Sequence, residues 1–247
     1  MNSKLVFNIK TCSNLFIGGT PIPFEIGGID QRTAVDEEGY PYIPGSSLKG
    51  AMRNIVREDE SEQGEKIKYY YMDYINKIRE NDIPKIEKIL EEEYKNKVIQ
   101  KTELDSKLAE VGRRYEVAME NASAQYLFGI EGFNNTPKLL FSDFILCKKE
   151  SERKSYFSID MKNSIDVGGN SPVSNPRSYQ TAKRGLQFQG QVQLYKISKL
   201  GDGIEELVKQ YIINNMLKFN EGIHRLGNSK SRGYGKIEVQ LAKEGDC

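Results

Sequence analysis

Four stretches of the chain alternate apolar and polar residues or run apolar long enough to predict strands. Lys4 to Thr11 (KLVFNIKT) sets Leu5, Phe7 and Ile9 on one face. Lys138 to Cys147 (KLLFSDFILC) is strongly apolar, Leu186 to Leu194 (LQFQGQVQL) alternates, and residues 236–241 (KIEVQL) close the chain in the same way. A shorter strand is expected at Tyr40 to Ile43. It follows the turn Asp36-Glu37-Glu38-Gly39, so that a hairpin carrying Asp30 and Arg32 leads into the helix beyond.

Other stretches repeat at the helical period. Leu48, Met52 and Ile55–Val56 mark one helix face. Ile67, Tyr70/Tyr71, Tyr74/Ile75 and Ile78 mark a second, and Pro84 is expected to interrupt it near the start of another helix with Ile86, Ile89/Leu90, Tyr94 and Val98. Lys101 to Tyr126 continues with Leu104, Leu108, Val111, Tyr115, Ala118 and Ala122, and Leu127-Phe128-Gly129 is a glycine stop. Gly203 to Asn220 carries Ile204, Leu207/Val208, Tyr211/Ile212, Met216 and Phe219 at helical spacing. The order of elements predicts an α+β fold. The simplest match is a ferredoxin-like βαββαβ core with a mainly antiparallel sheet, a helical insertion at about 58–120 and an excursion at about 148–185 holding one hairpin. Excursions of that length are usually either disordered or functional.

Composition adds an asymmetry. The 247 residues carry 36 basic and 35 acidic side chains. Residues 57–120 hold 13 Lys/Arg against 17 Asp/Glu, a net charge of −4, which leaves +5 for the rest. A basic patch on a near-neutral protein is still an electrostatic footprint. The three cysteines (Cys12, Cys147, Cys247) form no CxxC pair and suggest reduced thiols. A single histidine, His224, argues against a zinc site. With no signal-like or membrane-length apolar run, a soluble, cytoplasmic protein with no membrane partner is expected.

Candidate chemistry gathers in two places. Ile43-Pro44-Gly45-Ser46-Ser47-Leu48-Lys49-Gly50-Ala51-Met52-Arg53 reads as a turn and a helix start. Ser46 or Ser47 is the expected cap, and Lys49 and Arg53 lie four apart on one face. Helix N-termini favour anions, so phosphate is the natural ligand beside these two cations. The second place is Arg225-Leu226-Gly227-Asn228-Ser229-Lys230-Ser231-Arg232-Gly233-Tyr234-Gly235-Lys236, where glycines expose N–H groups and Arg225, Lys230 and Arg232 add charge. Tyr234 is expected to stack a base. The loop is neither a Walker A motif nor a dinucleotide fingerprint, because no Ser/Thr follows Lys236 and a strand, not a helix, comes next.

These residues resemble the RAMP superfamily of CRISPR proteins. The G-x-S-x-S-R-G-Y-G pattern before a last strand looks like its signature, and the segment Ile43 to Gly50 looks like the IPGSSLKG segment of type III subunits. Phe16-Ile17-Gly18-Gly19, Gly28-Ile29-Asp30 and Asp36 are similar to the start of the Csm-type backbone subunit, the target-RNA-cleaving, Cas7-like one. Gln125-Tyr126-Leu127-Phe128-Gly129 resembles its LFG turn, and Asn175-Pro176-Arg177 a segment after its thumb. The matches run in order from residue 5 to 240 and leave only the helical insertion without a motif. The resemblance implies a single RAMP domain over 1–247 with an RRM-like core and a thumb hairpin at 148–185. It implies a backbone subunit that polymerises along a CRISPR RNA guide with copies of itself and other type III effector subunits, and that cleaves target RNA. Asp30 matches the cleaving aspartate, which works with Mg²⁺ or another divalent cation, and is also the possible metal ligand; Asp36 matches a later, non-catalytic position. Ser46, Ser47, Lys49, Arg53, Arg177, Lys183, Arg184, Arg225, Lys230, Arg232 and Tyr234 would contact RNA. Arg32 as a charge neutraliser beside Asp30 is an inference from chemistry, not a motif match. A non-catalytic RNA-binding scaffold and a guide-processing endoribonuclease using His224 stand as alternatives.

Overall fold

The computed structural model describes residues 3–19, 29–166 and 173–243. The expected loop features at Pro21, Pro23, Gly27 and Gly28, the turn signals from Gly168 to Pro172, and Cys247 lie outside the described residues. The strands are β1 (Lys4–Thr11), β2 (Gln31–Arg32), β3 (Lys138–Phe141), β4 (Ile145–Leu146), β5 (Phe157–Asp166), β6 (Val173–Ala182), β7 (Gln187–Tyr195) and β8 (Ile237–Ala242). The helices are α1 (Gly45–Arg57), α2 (Glu62–Lys95), α3 (Lys101–Glu120) and α4 (Ile204–Leu217). The chain divides into two compact units. One comprises Met1–Ser3, Val56–Leu139 and Leu194–Tyr211, the other Lys4–Ile55, Leu140–Gln193 and Ile212–Cys247.

The second unit holds the main sheet, in the order β3-β7-β1-β8 with β4 also on β7. β1 runs antiparallel to both neighbours, Phe7 facing Gly190 on one side and Leu241 on the other. Counted along a βαββαβ chain (β1, α1, β3, β7, α4, β8), the spatial order is second, third, first, fourth, which is the ferredoxin-like arrangement. Alternation explains it: Phe7, Ile9, Phe188, Val192, Ile237 and Val239 are buried, and Leu48 and Met52 of α1 belong to the same buried set. Fully burying a side chain of this size contributes about 1.5–3 kcal/mol. A second sheet, β2-β6-β5, carries the hairpin. β5 and β6 pair antiparallel over their full length, from Phe157 opposite Ala182 to Asp166 opposite Val173. The 148–185 excursion is thus an ordered ribbon where described, and Asn175-Pro176-Arg177 lies within it rather than after it.

Three other expectations change. The apolar run from Lys138 to Cys147 is not one strand: it breaks between β3 and β4, where Phe144 turns its ring over β7. A Cβ on Gly190 would lie 2.5 Å from that ring. Residues 40–43 turn back antiparallel only on Ala34–Asp36, the Asp36 N–H donating to the Tyr40 carbonyl at 2.8 Å, and do not reach Asp30 or Arg32. They make single bridges, Val35 to Pro41 and Ile43 to Phe144, while β2 pairs in parallel with β6. Cys12 is a free thiol but Cys147 is disulfide-bonded, so the expectation of reduced thiols does not hold at Cys147.

In the other unit α2 runs unbroken through Pro84 and stops at Asn96. A continuous helix of 34 residues carries the proline because packing and neighbouring turns outweigh one lost hydrogen bond. Ser61 caps it by accepting from the Gly64 N–H. α2 packs on α3, with the Tyr115 hydroxyl 3.1 Å from Asp82 and a small apolar cluster of Leu90, Ile99 and Leu104 nearer the tip. Exposed pairs such as Lys77–Asp73 and Lys107–Glu103 line these helices, and they contribute little to stability because water and salt screen them.

Candidate nucleic-acid interface

Asp30 lies just ahead of β2 and is exposed. Its carboxylate is nonetheless fixed. The Ser178 N–H donates to Oδ2 at 2.6 Å and the Ser178 hydroxyl donates to the same oxygen at 3.0 Å. The Asp30 N–H returns a bond to Ser178 Oγ at 3.1 Å. The two Ser178 bonds hold this carboxyl below the usual carboxylate range, with Arg177 adding to the effect. The bonds come from the hairpin strand β6, so Asp30 is fastened to the hairpin and is not a simple turn cap. Arg32 follows two residues on, opposite Gln180, and lines a cavity of about 540 Å³ with Gly18, Thr33, Tyr42 and Phe157. Asp36 has a different job. Burial pushes its carboxyl up, but the Tyr40 N–H and Lys149 outweigh that and hold it low. Its bonds hold the turn and tie it to a distant lysine: Tyr40 N–H at 2.8 Å and Lys149 Nζ at 3.1 Å.

The helix start differs from expectation. α1 begins at Gly45, so Ser46 and Ser47 are first-turn residues and neither is the cap. The Pro44 carbonyl accepts from Ser47 and Leu48 N–H, and the Gly45 N–H donates to Asp143 Oδ1 at 2.7 Å. Glycine is required at 45 because a Cβ would come within 2.7 Å of the Phe141 and Ser142 carbonyl oxygens. Ser46, Gly50 and Arg53 are all exposed and follow helical spacing, which makes one open face. Lys49 is half-buried. Ser47, Ala51 and Asn54 share a cleft of about 330 Å³ with Ile17, Gly18, Gly227, Asn228 and Lys230. The structure therefore brings α1 and the distant glycine loop together.

That loop is shaped by backbone constraints. Gly227, Gly233 and Gly235 all have positive φ, and a Cβ on Gly235 would collide with the Leu226 carbonyl oxygen. Arg225 Nη1 donates to the Lys230 carbonyl at 3.1 Å, which folds the loop back on itself. Lys230 and Arg232 are exposed. Tyr234 is not free to stack a base as expected. Its hydroxyl donates to Asp160 Oδ2 at 2.7 Å, and Lys162 Nζ lies 4.1 Å from its ring centre and 4.4 Å from that of Tyr179. Burial first, and then the Asp160 bond, push the Tyr234 hydroxyl up to about 12. Asp160 collects further bonds from Asn14, Ser158 and Thr181. Burial alone would raise its carboxyl, but these donors outweigh it and hold it low. Lys162 is pushed down, mainly by burial and then by Arg232, and it donates to Ser229 Oγ at 3.1 Å. Arg177 stands opposite Lys162 in the hairpin register. Arg177, Lys162, Arg232 and Lys230 thus come from two separate segments to one cationic region.

The family model of the RAMP superfamily matches residues 8–238. The chain belongs to that superfamily. Two relatives are the CRISPR system Cms endoribonuclease Csm3 of Methanocaldococcus jannaschii and that of Streptococcus thermophilus. The first is 26% identical over 242 residues, spanning 95% of this chain and 77% of the relative. The second is 26% identical over 246 residues, spanning 97% and 88%. Among solved structures, a chain of the Type III-B Cmr-beta complex bound to cognate target RNA shares the fold, with a TM-score of 0.50 and 16% identity. The alignment covers 97% of this chain and 61% of that one.

Within the RAMP fold the remaining predicted contacts separate. Lys183 and Arg184 are exposed just after β6, where the Arg184 N–H donates to Asn14 Oδ1 at 3.2 Å. His224 is half-buried immediately before the glycine loop. Ser178, Asp160, Lys162 and Asn14 belong to no motif, and sequence reasoning misses them. The alternation Ser158, Asp160, Lys162 is a usable signal, but apolarity alone would turn the opposite face inward. Instead Ile159 and Met161 are 62% and 78% exposed. Among the described residues no three His, Cys, Asp or Glu side chains gather into a metal site. Asp30 would offer a divalent cation one carboxylate, and Mg²⁺ sites commonly take the rest from phosphates and water. Among the described residues no helix is long and apolar enough to cross a membrane.

Proposed function

We propose that this RAMP protein is an RNA-guided backbone subunit of a type III CRISPR effector, which binds the guide along α1 and the glycine loop and cleaves complementary target RNA at Asp30. The observation that carries it is the fixed carboxylate of Asp30 on the hairpin strand, in the same compact unit as the α1–glycine loop cleft. The Csm3 relatives are named as endoribonucleases of a CRISPR system, which supports RNA cleavage. Exposed Ser46, Arg53 and Lys230 suit phosphates, which give affinity without sequence preference. A subunit that must accept any guide needs that property. Exposed Ile159 and Met161 give the hairpin an apolar face to set against unstacked bases.

Cleavage requires the 2′-OH to be oriented toward phosphorus and the charge of the phosphorane to be met. A carboxylate held ionised is a weak base, so Asp30 serves by accepting a hydrogen bond from the 2′-OH or by holding a cation. Arg32 supplies positive charge two residues along the same segment. A divalent cation on Asp30 would add Lewis-acid neutralisation of the phosphate. The test uses the complex assembled with its neighbouring subunits and guide, on end-labelled complementary RNA. Asp30→Ala is expected to abolish cleavage and leave RNA binding intact, and chelation of divalent cations is expected to stop the wild type. Cleavage by Asp30→Ala at the wild-type rate would reduce the protein to a scaffold.

A further inference from the structure

We infer that Ser178 is the positioning residue for Asp30, setting the orientation in which that carboxylate meets the RNA. The inference rests on Asp30 being the cleaving carboxylate. Three hydrogen bonds join the two residues, which are 148 positions apart. Proton counting fixes their direction. The Asp30 N–H can only donate, so it takes a lone pair of Ser178 Oγ, and the one hydroxyl proton is left for Asp30 Oδ2. The Ser178 N–H donates to that same oxygen. Oδ2 is therefore committed to the hairpin, and Oδ1 takes neither of these bonds.

An exposed aspartate in an irregular segment otherwise samples several rotamers, and each wrong one removes it from the reaction geometry. Here the backbone N–H and the side chain of Ser178 close a ring with Asp30, which fixes both its side-chain torsions. The register adds direction. Ser178 stands opposite Met161, and β2 pairs with the next residues of β6, Gln31 on Tyr179 and Arg32 on Gln180. The carboxylate and Met161 thus flank Ser178 on either side of β6, and Arg32 and Ile159 flank Gln180 two residues further on. Movement of the hairpin against RNA carries Asp30 with it.

Ser178→Ala keeps the backbone donor and removes both hydroxyl bonds. Ser178→Thr keeps the hydroxyl and suits a strand. Single-turnover cleavage by the assembled complex, at saturating target RNA, separates orientation from binding. Ser178→Ala is expected to slow cleavage roughly 10- to 100-fold, as loss of a supporting hydrogen-bond partner does, with target affinity unchanged. Ser178→Thr is expected to cleave within a few-fold of wild type. If Ser178→Ala cleaves at the wild-type rate while Asp30→Ala is dead, the inference fails and the role of Asp30 stands. Equal losses in Ser178→Ala and Ser178→Thr, or a fall in target affinity that accounts for the slower rate, would make Ser178 merely structural. Wild-type cleavage by Asp30→Ala removes both claims.

Discussion

Asp30 and Asp160 show how the same residue type is put to opposite uses. Asp30 is exposed and takes its bonds from one residue, whereas Asp160 is partly buried and takes them from Tyr234, Asn14, Ser158 and Thr181. The Asp160 carboxyl is depressed below its ordinary value of 3.8. A depressed folded-state value means stability that is present above pH 3.8 and is lost as the pH falls through the lower, folded value. Urea unfolding from mildly to strongly acidic pH should therefore show wild type losing an advantage over Asp160→Asn, with the two curves converging at the lowest pH. The cations make a different prediction. Arg53 and Lys230 are exposed, so Arg53→Ala or Lys230→Ala should weaken guide binding alike for every guide sequence. Each should lower the slope of log affinity against log salt by about 0.7, the single-strand value per phosphate contact. Filter binding across a salt titration of roughly 50 to 200 mM measures it.

At the scale of elements, two glycines separate geometry from function. Gly235 has positive φ, and any side chain there would strike the Leu226 carbonyl. Gly235→Ala should cost on the order of 1–3 kcal/mol in thermal unfolding and should loosen the loop that carries Lys230 and Arg232. Gly50 is the reverse case. It sits exposed inside α1, and a Cβ there would meet nothing within 4 Å, so Gly50→Ala should stabilise the helix by about 0.5–1 kcal/mol. If the open face of Ser46, Gly50 and Arg53 receives the RNA backbone, the same change should weaken guide binding. Strands and helices with clean periodicity are readable directly: β1, β7, β8 and α4 fall where alternation and the helical period put them. The structure departs from the pattern where one local feature looks decisive. Pro84 does not stop α2, and the mostly apolar run at 138–147 hides the turn at Ser142-Asp143 that lets Asp143 reach the Gly45 N–H.

At the scale of the whole molecule, the chain is a ferredoxin-like core with two additions, a hairpin and a helical insertion. The insertion carries its own apolar cluster of Leu90, Ile99 and Leu104 near its tip, and the Tyr115–Asp82 bond closes it below that point. Replacing residues 84–113 with a short glycine-serine turn should therefore preserve the circular dichroism of the sheet and leave RNA affinity unchanged, since Asp30, α1 through Ile55, the hairpin and the glycine loop all belong to the other compact unit. Loss of folding on this truncation would show that the tip supports more than itself.

The sequence by itself determined the α+β class, the order of the core strands and helices, and the two segments that meet in the cleft. Those features rest on local periodicity and on glycine geometry, which a linear pattern records. It also marked Asp30, through a motif. Only the tertiary structure decided what holds Asp30, because its partner Ser178 is a plain serine 148 residues away that no local pattern distinguishes. The same holds for Tyr234. Its place in a motif suggests a base to stack on, but its hydroxyl and ring are taken by Asp160 and Lys162 of the hairpin. Hydrogen bonds between distant segments depend on the register of strands that pair through space, and that register is fixed only when the whole sheet closes.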